Sequence, residues 1–410
     1  MNQYSLRYTV VGNSNYNNNM EINERRVGQQ IRNFEKALNG YNYDEPLSRY
    51  LTRFFKENKQ MGSSDRRMTS RFCYNYFRLG NSFKSLPIID RLVFAEYLCE
   101  EESNLVSLLK PELNSFEAST LAEKITVLQD QYEFDLEDLF PLTSHISPEV
   151  KKDSFLESQL IQPDLFIRIK RGKEEFVKNI FDKNSILYTS LADNTLRLAN
   201  GTNLQKVSTL EGVYEVQDYS SQRTIDFVKA KSDEYWWDAC AASGGKALMF
   251  LDKYPQTNIL VSDIRMSILR NLDERFERAG ISKNYRKKVL DLSQSVDTIM
   301  KGESFDGIIL DAPCSGSGTW GRTPEMIQQF DLDKLMRFSS LQKKIATNVV
   351  PYLKTGGSLV YITCSIFKDE NEDVVSYMLD NLGLRLEKMS LLDGYTNKAD
   401  SMFAAHFIKL

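Results

Sequence analysis

The sequence has few histidines, no paired-cysteine motif and no long apolar run, and each absence argues against a class of protein. Of its 410 residues, two are histidines, His145 and His406, and their separation argues against a Ser-His-Asp triad or a histidine-based metal site. The five cysteines are odd in number, and their wide spacing suits neither a disulfide framework nor a CxxC zinc site. We therefore expect no bound metal, and free thiols in a reducing compartment.

No apolar stretch approaches the ~20 residues that a membrane helix needs. The first residues also lack the basic and then apolar pattern of a signal peptide. We therefore expect a cytoplasmic protein that does not enter a membrane. We also expect a monomer.

Charge is nearly balanced overall but divided along the chain. The 52 Lys+Arg against 56 Asp+Glu leave a net charge of −4, so no global positive field indicates a nucleic-acid partner. Residues 25–84, however, carry 13 basic and 5 acidic residues, whereas residues 85–160 carry 5 basic and 16 acidic ones. The basic run is either a solvated helix face or a surface that contacts phosphates. In the second case the candidate phosphate contacts are Arg66, Arg67 and Arg71.

Composition and periodicity divide the chain into four parts. Residues 1–20 are polar and rich in Asn, which predicts a disordered tail. Residues 21–155 have apolar residues three and four apart, which predicts a helical domain, and 156–210 mix strand and helix patterns in a small α+β unit. From 211 to 410, strands and helices alternate, which predicts an α/β domain with a mostly parallel, doubly wound sheet.

In the α+β unit the pattern predicts a helix at 174–181 and strands at 165–170, 186–188 and 196–198. In the α/β domain it predicts helices at 266–279 and 332–353 and strands at 235–239, 258–262, 287–290, 306–310 and 358–363. Ligands of such sheets bind in the crevice beyond the carboxyl ends of the strands.

A loop of small residues follows the first strand of the α/β domain and leads into a helix. Its paired glycines let a ligand approach the backbone, although it matches neither a Walker A loop nor GxGxxG. Asp263, at the end of the second strand, is placed for ribose hydroxyls, and Asp291, after the third, for the surroundings of an adenine. Together these features favour an adenosine-containing ligand over a plain turn with a capping acid. The loop residues that we expect to bind it are Cys240, Ala241, Ala242, Ser243, Gly244, Gly245 and Lys246.

Two cysteines follow the fourth and fifth strands, Cys314 shortly after Asp311 and Cys364 directly after Thr363. Both strand ends open on the same crevice, so we expect the two thiols and the Asp311 carboxylate to converge beside the cofactor. A thiolate is a suitable nucleophile for an electron-poor ring carbon. Free cysteines are more often small buried hydrophobes, but the polar and small neighbours here indicate loop tips.

Three motifs in this order resemble the RsmB/NOP/Sun family of RNA cytosine-C5 methyltransferases. They are Asp-Ala-Cys-Ala-Ala-x-Gly-Gly-Lys at 238–246, Asp-Ala-Pro-Cys-Ser-Gly at 311–316 and Thr-Cys-Ser at 363–365, and the likeness covers about 164–410. The chain departs from the family at Ser243, where the family usually has Pro. The resemblance implies a class I methyltransferase Rossmann-like domain, an RRM-like α+β subdomain before it, and a NusB-like helical domain of the bacterial ribosomal-RNA type.

The resemblance also implies roles for the site residues. S-adenosyl-L-methionine would lie on the 240–246 loop, with Asp263, Asp291 and Asp311 around it. Cys364 would add to C6 of the cytosine, Cys314 would assist release of the product, and Asp311 would hold the N3/N4 edge of the base. DNA cytosine methyltransferases attack with the Pro-Cys cysteine and lack the second one, so the pair argues for RNA.

RNA would be bound by Arg322, within a segment that resembles the family, and by a basic cluster of the α+β unit. The cluster is Arg168, Lys170, Arg171 and Lys173, for which a solvated strand edge is the alternative. The helical region favours ribosomal RNA over transfer RNA as the partner.

Two rival functions are a retired enzyme that acts as an RNA-binding ribosome-assembly factor and a methyltransferase with a protein or small-molecule acceptor. The intact Lys246, Asp311, Cys314 and Cys364 argue against the first, and the paired thiols against the second.

Overall fold

The computed structural model describes residues 23–116, 119–281 and 285–410. The tail predicted at 1–20 lies outside the described residues. Within these ranges, no helix combines the length and the apolar character needed to cross a bilayer.

The N-terminal region is helical, as its apolar spacing predicts. Its helices are α1 (Glu24–Asn39), α2 (Leu47–Glu57), α3 (Ser63–Arg78), α4 (Ile88–Cys99), α5 (Asn104–Leu109), α6 (Leu121–Tyr132) and α7 (Lys152–Gln159). The apolar faces meet in one core, where Phe34 of α1, Phe77 of α3 and Leu92 of α4 are fully buried.

A small antiparallel sheet follows, with its strands in the order β2-β3-β1-β4. Its elements are β1 (Leu165–Ile169), α8 (Glu174–Lys183), β2 (Thr189–Ala192), β3 (Thr195–Leu198) and β4 (Tyr214–Val216). Because β4 pairs with β1, the sheet continues past the predicted boundary at 210. The strand predicted near 186–188 begins later, at Thr189. Ser185 has a φ of +53° and the Ile186 N–H donates to the carbonyl of Phe181, so the chain is still leaving α8 there.

The C-terminal region is a seven-stranded, mostly parallel sheet in the order β10-β11-β9-β8-β5-β6-β7, which confirms the predicted fold class. Its elements are α9 (Tyr219–Arg223), β5 (Tyr235–Asp238), α10 (Gly245–Lys253), β6 (Asn258–Asp263), α11 (Met266–Arg278), β7 (Tyr285–Val289), β8 (Phe305–Asp311), α12 (Leu332–Val349), β9 (Leu353–Thr363), α13 (Glu372–Asn381), β10 (Leu384–Leu392) and β11 (Met402–Lys409). Strands β9 to β7 are parallel, whereas β11 and β10 form an antiparallel edge. Helix α12 ends before its predicted end at 353 because Pro351 has no N–H with which to continue it.

Two apolar layers sandwich this sheet. Trp236 and Trp237 are neighbours in β5, so their side chains point to opposite faces. Trp236 packs in the core under α10 and α11, and Trp237 in the core under α12. Both indoles are fully buried, and the site therefore stands on a rigid three-layer base.

The helical region is attached to the chain segment that follows Cys314. The buried Arg78 of α3 donates hydrogen bonds to the carbonyls of Gly321, at 2.9 Å, and Gln159, at 2.8 Å. At the start of α2, the Leu47 N–H donates to Glu325 Oε1 at 3.0 Å. These buried contacts join the helices to the edge of the site.

We expect opposite stability changes from alanine at two glycines. At Gly307 a Cβ would lie 2.3 Å from the Trp236 ring, so Gly307→Ala should lower the free energy of unfolding by ~1–3 kcal/mol. At Gly28, within α1, a Cβ would meet only Arg32, at 3.6 Å, so Gly28→Ala should raise it by ~1 kcal/mol. Urea unfolding followed by circular dichroism measures both. An unchanged midpoint for Gly307→Ala would show that the Trp236 layer is not tightly packed.

Candidate active site

The loop after β5 turns tightly into α10, as its paired glycines predict. Gly244 has a φ of +81°, and a Cβ there would stand 2.8 Å from Leu272 and Phe276 of α11, so glycine is required. The hydroxyl of Ser243, the residue that departs from the family, accepts a hydrogen bond from Arg275 at 3.2 Å. The turn is thus held against α11 without a proline.

A cavity of about 560 Å³ lies beyond the carboxyl ends of β5, β6 and β8. Leu290, Leu292, Leu341 and Ile345 make part of its wall apolar. The predicted site residues that line it are Cys240, Ala242, Asp263, Asp291, Asp311, Cys314 and Cys364. The remaining predicted loop residues, which do not line it, are Ala241, Ser243, Gly244, Gly245 and Lys246.

Local hydrogen bonds orient the two carboxylates that the sequence assigns to an adenosine. Asp263 accepts from the Ala242 N–H at 3.2 Å and from the Arg265 N–H at 2.9 Å. Asp291 accepts from the N–H of Ser293 at 3.0 Å and from its hydroxyl at 2.6 Å. Both acids therefore have defined positions at the cavity, and carboxylates beside an apolar wall suit the hydroxyls and the base of a nucleoside.

One ion pair stands between the cofactor loop and β8. Lys246 Nζ lies 2.5 Å from Asp311 Oδ2. Burial opposes the charge of Lys246, but the contact with Asp311 outweighs it and raises the lysine pKa. Burial, followed by repulsion from Asp311, raises the pKa of the neighbouring Asp238 to about 8. Asp238 is therefore mostly protonated at neutral pH, and Lys246–Asp311 is the charged pair of this corner.

The two cysteines meet, as the strand order predicts. Cys314 Sγ and Cys364 Sγ are 3.2 Å apart, and the Cys364 N–H lies 3.3 Å from Cys314 Sγ. The hydrogen bond with Cys364, together with burial, raises the pKa of Cys314 well above its usual value. Cys314 thus holds its proton and is placed to donate it to Cys364 Sγ.

Sequence reasoning missed Glu370, a fully buried acid that joins the two cysteine loops. Its carboxylate accepts from the Ser315 N–H at 2.8 Å and from the Ser315 hydroxyl at 2.5 Å. It also accepts from the Ser365 hydroxyl and, at 2.9 Å, from Gln342 of α12. Burial raises the Glu370 pKa. The run Asp369-Glu370-Asn371-Glu372-Asp373 looks like a solvated surface, so its sequence position next to the Thr-Cys-Ser motif was the available signal.

The predicted RNA-binding cluster divides in the structure. The prediction is wrong for Arg168. Its side chain is buried and donates to Asp252 at 2.7 Å and to Gln217 at 3.0 Å, so a phosphate cannot reach it. Lys170 donates to the carbonyl of Ala279. Arg171 and Lys173 are exposed, as a backbone contact requires.

Other predicted phosphate contacts are also engaged within the protein. Arg322 is half-buried and bridges Asp400, at 2.9 Å, and Asp218, at 3.0 Å, so it braces the loop after Cys314. On α3, Arg71 is paired with the buried Glu96 at 2.5 Å. The Arg66 guanidinium donates to the Met61 carbonyl, whereas Arg67 is exposed.

In the part of the chain that the structure describes, no three His, Cys, Asp or Glu side chains form a cluster suited to a metal ion.

Comparison with known proteins gives a family match within the sheet domain and matches to curated relatives. Residues 226–407 match the family model "16S rRNA methyltransferase RsmB/F". The ribosomal RNA small subunit methyltransferase B of Proteus mirabilis (strain HI4320) is 28% identical over 238 residues, which is 56% of this chain and 55% of that protein. A probable ribosomal RNA small subunit methyltransferase B of Bacillus subtilis (strain 168) is 32% identical over 186 residues, 45% of this chain and 41% of that protein. The chain thus spans about half the length of the curated relatives it matches.

Solved structures are similar over more of the chain. The crystal structure of PH0851 aligns with a TM-score of 0.70 at 21% identity. The alignment includes 93% of this chain and 98% of the PH0851 chain. The structure of NSun6 from Pyrococcus horikoshii with SFG aligns with a TM-score of 0.55 at 17% identity. The alignment includes 63% of this chain and 94% of the NSun6 chain. These likenesses establish the fold. The match of residues 226–407 to the family model agrees with this fold and confirms the predicted resemblance to the RsmB/NOP/Sun family.

Proposed function

We propose that this protein transfers a methyl group from S-adenosyl-L-methionine to C5 of a cytosine in RNA, with ribosomal RNA as the substrate. The observation that carries the proposal is the pair of thiols, 3.2 Å apart, in the same cavity as Asp263, Asp291 and Asp311. We further propose that it acts as a cytoplasmic monomer.

The cavity fits the cofactor in chemistry. Asp263 would accept hydrogen bonds from the ribose hydroxyls, and the apolar residues Leu290, Leu292 and Ile345 would flank the adenine near Asp291. When bound, S-adenosyl-L-methionine supplies an electrophilic methyl group. The protein orients the cofactor and the cytosine relative to each other and excludes water from the cavity.

The two cysteines have different roles in the reaction of the cytosine. Cys364 Sγ forms a bond to C6 of the cytosine, which makes C5 nucleophilic enough to take the methyl group. Asp311, held by Lys246, accepts a hydrogen bond from the N4 edge and stabilises the charge that develops there. A water molecule at the cavity mouth then takes the C5 proton, the C5–H electron pair re-forms the C5–C6 double bond, and the C6–S bond breaks to release Cys364 as a thiolate. Cys314 then stabilises the expelled Cys364 thiolate through its S–H group. The cytosine has to leave its stack to reach these groups.

The rival functions find less support in this geometry. A retired enzyme does not need the Cys314–Cys364 contact or the Lys246–Asp311 pair. Transfer to a nitrogen or oxygen acceptor uses no thiol nucleophile. Ribosomal RNA is chosen over transfer RNA because the relatives from Proteus mirabilis and Bacillus subtilis are named for it. We also propose that the helical region is NusB-like and the small sheet RRM-like, and that Arg171 and Lys173 meet RNA there.

Replacing each cysteine in turn should separate their roles. With unmodified small-subunit ribosomal RNA and S-adenosyl-L-methionine, Cys314→Ala should accumulate an RNA–protein adduct on a denaturing gel, because release is impaired. Cys364→Ala should form no adduct and lose methyl transfer by about 10⁴-fold or more. Cys99→Ala, which removes a thiol far from the cavity, is the control and should behave like wild type.

An adduct that disappears only in Cys314→Ala would invert the two roles. If wild type transfers no methyl group to ribosomal RNA but does so to transfer RNA, the proposed substrate is wrong. No transfer to either RNA would favour the retired-enzyme reading.

Glu370→Gln should slow the reaction without weakening cofactor binding. The amide keeps the size of the side chain, but its NH₂ group faces donors from Ser315 or Gln342, so the two cysteine loops shift relative to each other. Because misplacement of ~1 Å can cost ~10²-fold, we expect kcat to fall by about 10- to 100-fold. The Kd of S-adenosyl-L-methionine, measured by calorimetry, should stay unchanged. Asp373→Asn, on the same segment but at the surface, is the matched control. Equal kcat values for the two variants would refute the positioning role of Glu370.

A further inference from the structure

We propose that the exposed face of α12 beside the cavity binds phosphates of the RNA strand that carries the target cytosine, through Arg337 and Lys344. The inference rests on the proposed function. It adds a strand-binding surface that is separate from the basic cluster of the α+β unit.

Helix α12 forms one wall of the cavity. Leu341 and Ile345 line the cavity that also contains Cys314 and Cys364. Arg337 precedes Leu341 by four residues and Lys344 follows it by three, so both lie on the side of the helix that carries Leu341. Their Cα atoms are about 10 Å apart along the helix axis. The two cations therefore flank the cavity wall.

Buried contacts hold α12 in a fixed position relative to the cysteines. Gln342 donates to the Pro313 carbonyl at 3.0 Å and to Glu370 at 2.9 Å. The Ser339 hydroxyl donates to the Asp369 carbonyl at 2.6 Å. Because these bonds reach both cysteine loops, a phosphate bound on α12 has a defined distance from Cys364.

The charge of α12 is unbalanced although the whole chain is slightly acidic. Within its 18 residues the helix carries one acid, Asp333, and four basic residues. These are Lys334, Arg337, Lys343 and Lys344.

The four cations differ in their partners. Lys334 donates to the Gln329 carbonyl, and Lys343 lies over the Tyr377 ring. Arg337 and Lys344 are exposed, and neither side chain has an ion-pair or hydrogen-bond partner among the described residues. Their charge is therefore available for an anion.

RNA is the anion that the reaction brings to this place. The target base has to enter the cavity, while its ribose and phosphates stay outside at the mouth. Cations beside that mouth would hold the backbone and fix the register of the strand without reading its sequence. Lys334 is also exposed on that side but is bound to the Gln329 carbonyl, which leaves Arg337 and Lys344 for the backbone.

A charge-reversal variant tests this surface. Binding of an unmodified small-subunit ribosomal RNA transcript to Arg337→Glu/Lys344→Glu would be measured by filter binding over a series of salt concentrations. We expect about tenfold or more loss of affinity at low salt, because two phosphate contacts are removed and repulsion is added. The slope of log K against log salt should become shallower by about 1.4 to 1.8. The Kd of S-adenosyl-L-methionine should not change, which shows that the cavity is intact.

The matched control is Lys231→Glu/Lys301→Glu, which makes the same change in charge. Both lysines are exposed and precede β5 and β8, at the end of the sheet opposite the cavity. If the α12 variant has the affinity and slope of this control, the inference is overturned.

Methyl transfer measured in parallel keeps the two proposals apart. If wild type binds the RNA but transfers no methyl group, the proposed function is refuted. The salt slopes of the α12 variant and its control still test whether α12 binds phosphates. A wild type that does not bind the RNA overturns both.

Discussion

The carboxylate of Glu370 holds the two cysteine loops together, and the geometry of the site depends on that one buried group. A buried carboxylate is costly unless donors surround it. Here the donors come from Ser315 beside Cys314, Ser365 beside Cys364, and Gln342 of α12. Three elements that are distant in sequence therefore meet at one acceptor. If any of these three elements moved away, the buried Glu370 carboxylate would lose a hydrogen bond, so the three are held together.

The contact between the sulfur atoms follows from this arrangement. Once the loops are joined, Cys314 and Cys364 have little freedom, and their 3.2 Å separation lets one thiol donate to the other. Burial and this bond keep the proton on Cys314. The packing that joins the loops therefore also brings the two sulfur atoms into contact.

Contacts with the helical region extend this support. The segment that leaves Cys314 is held by Arg78 through Gly321 and by α2 through Glu325. Arg322 braces the same segment against Asp218 and Asp400. A loop with this many buried partners is rigid from both ends, so RNA that binds the helices and the sheet domain would meet a preformed site.

The sequence by itself determined the strand and helix alternation, the cofactor loop and the convergence of Asp311, Cys314 and Cys364. Those features depend on local periodicity and on the rule that parallel strands end at one edge of a sheet. Only the tertiary structure decided which charged side chains are paired, buried or free. Arg168 and Arg322 look like free cations in sequence, yet acids distant in the chain pair with them. Glu370 looks solvated, yet it is buried. The role of a charge depends on its neighbours in space. For Arg168 and Arg322 these lie 84 and 104 residues away in the chain, and local patterns do not encode packing over such separations.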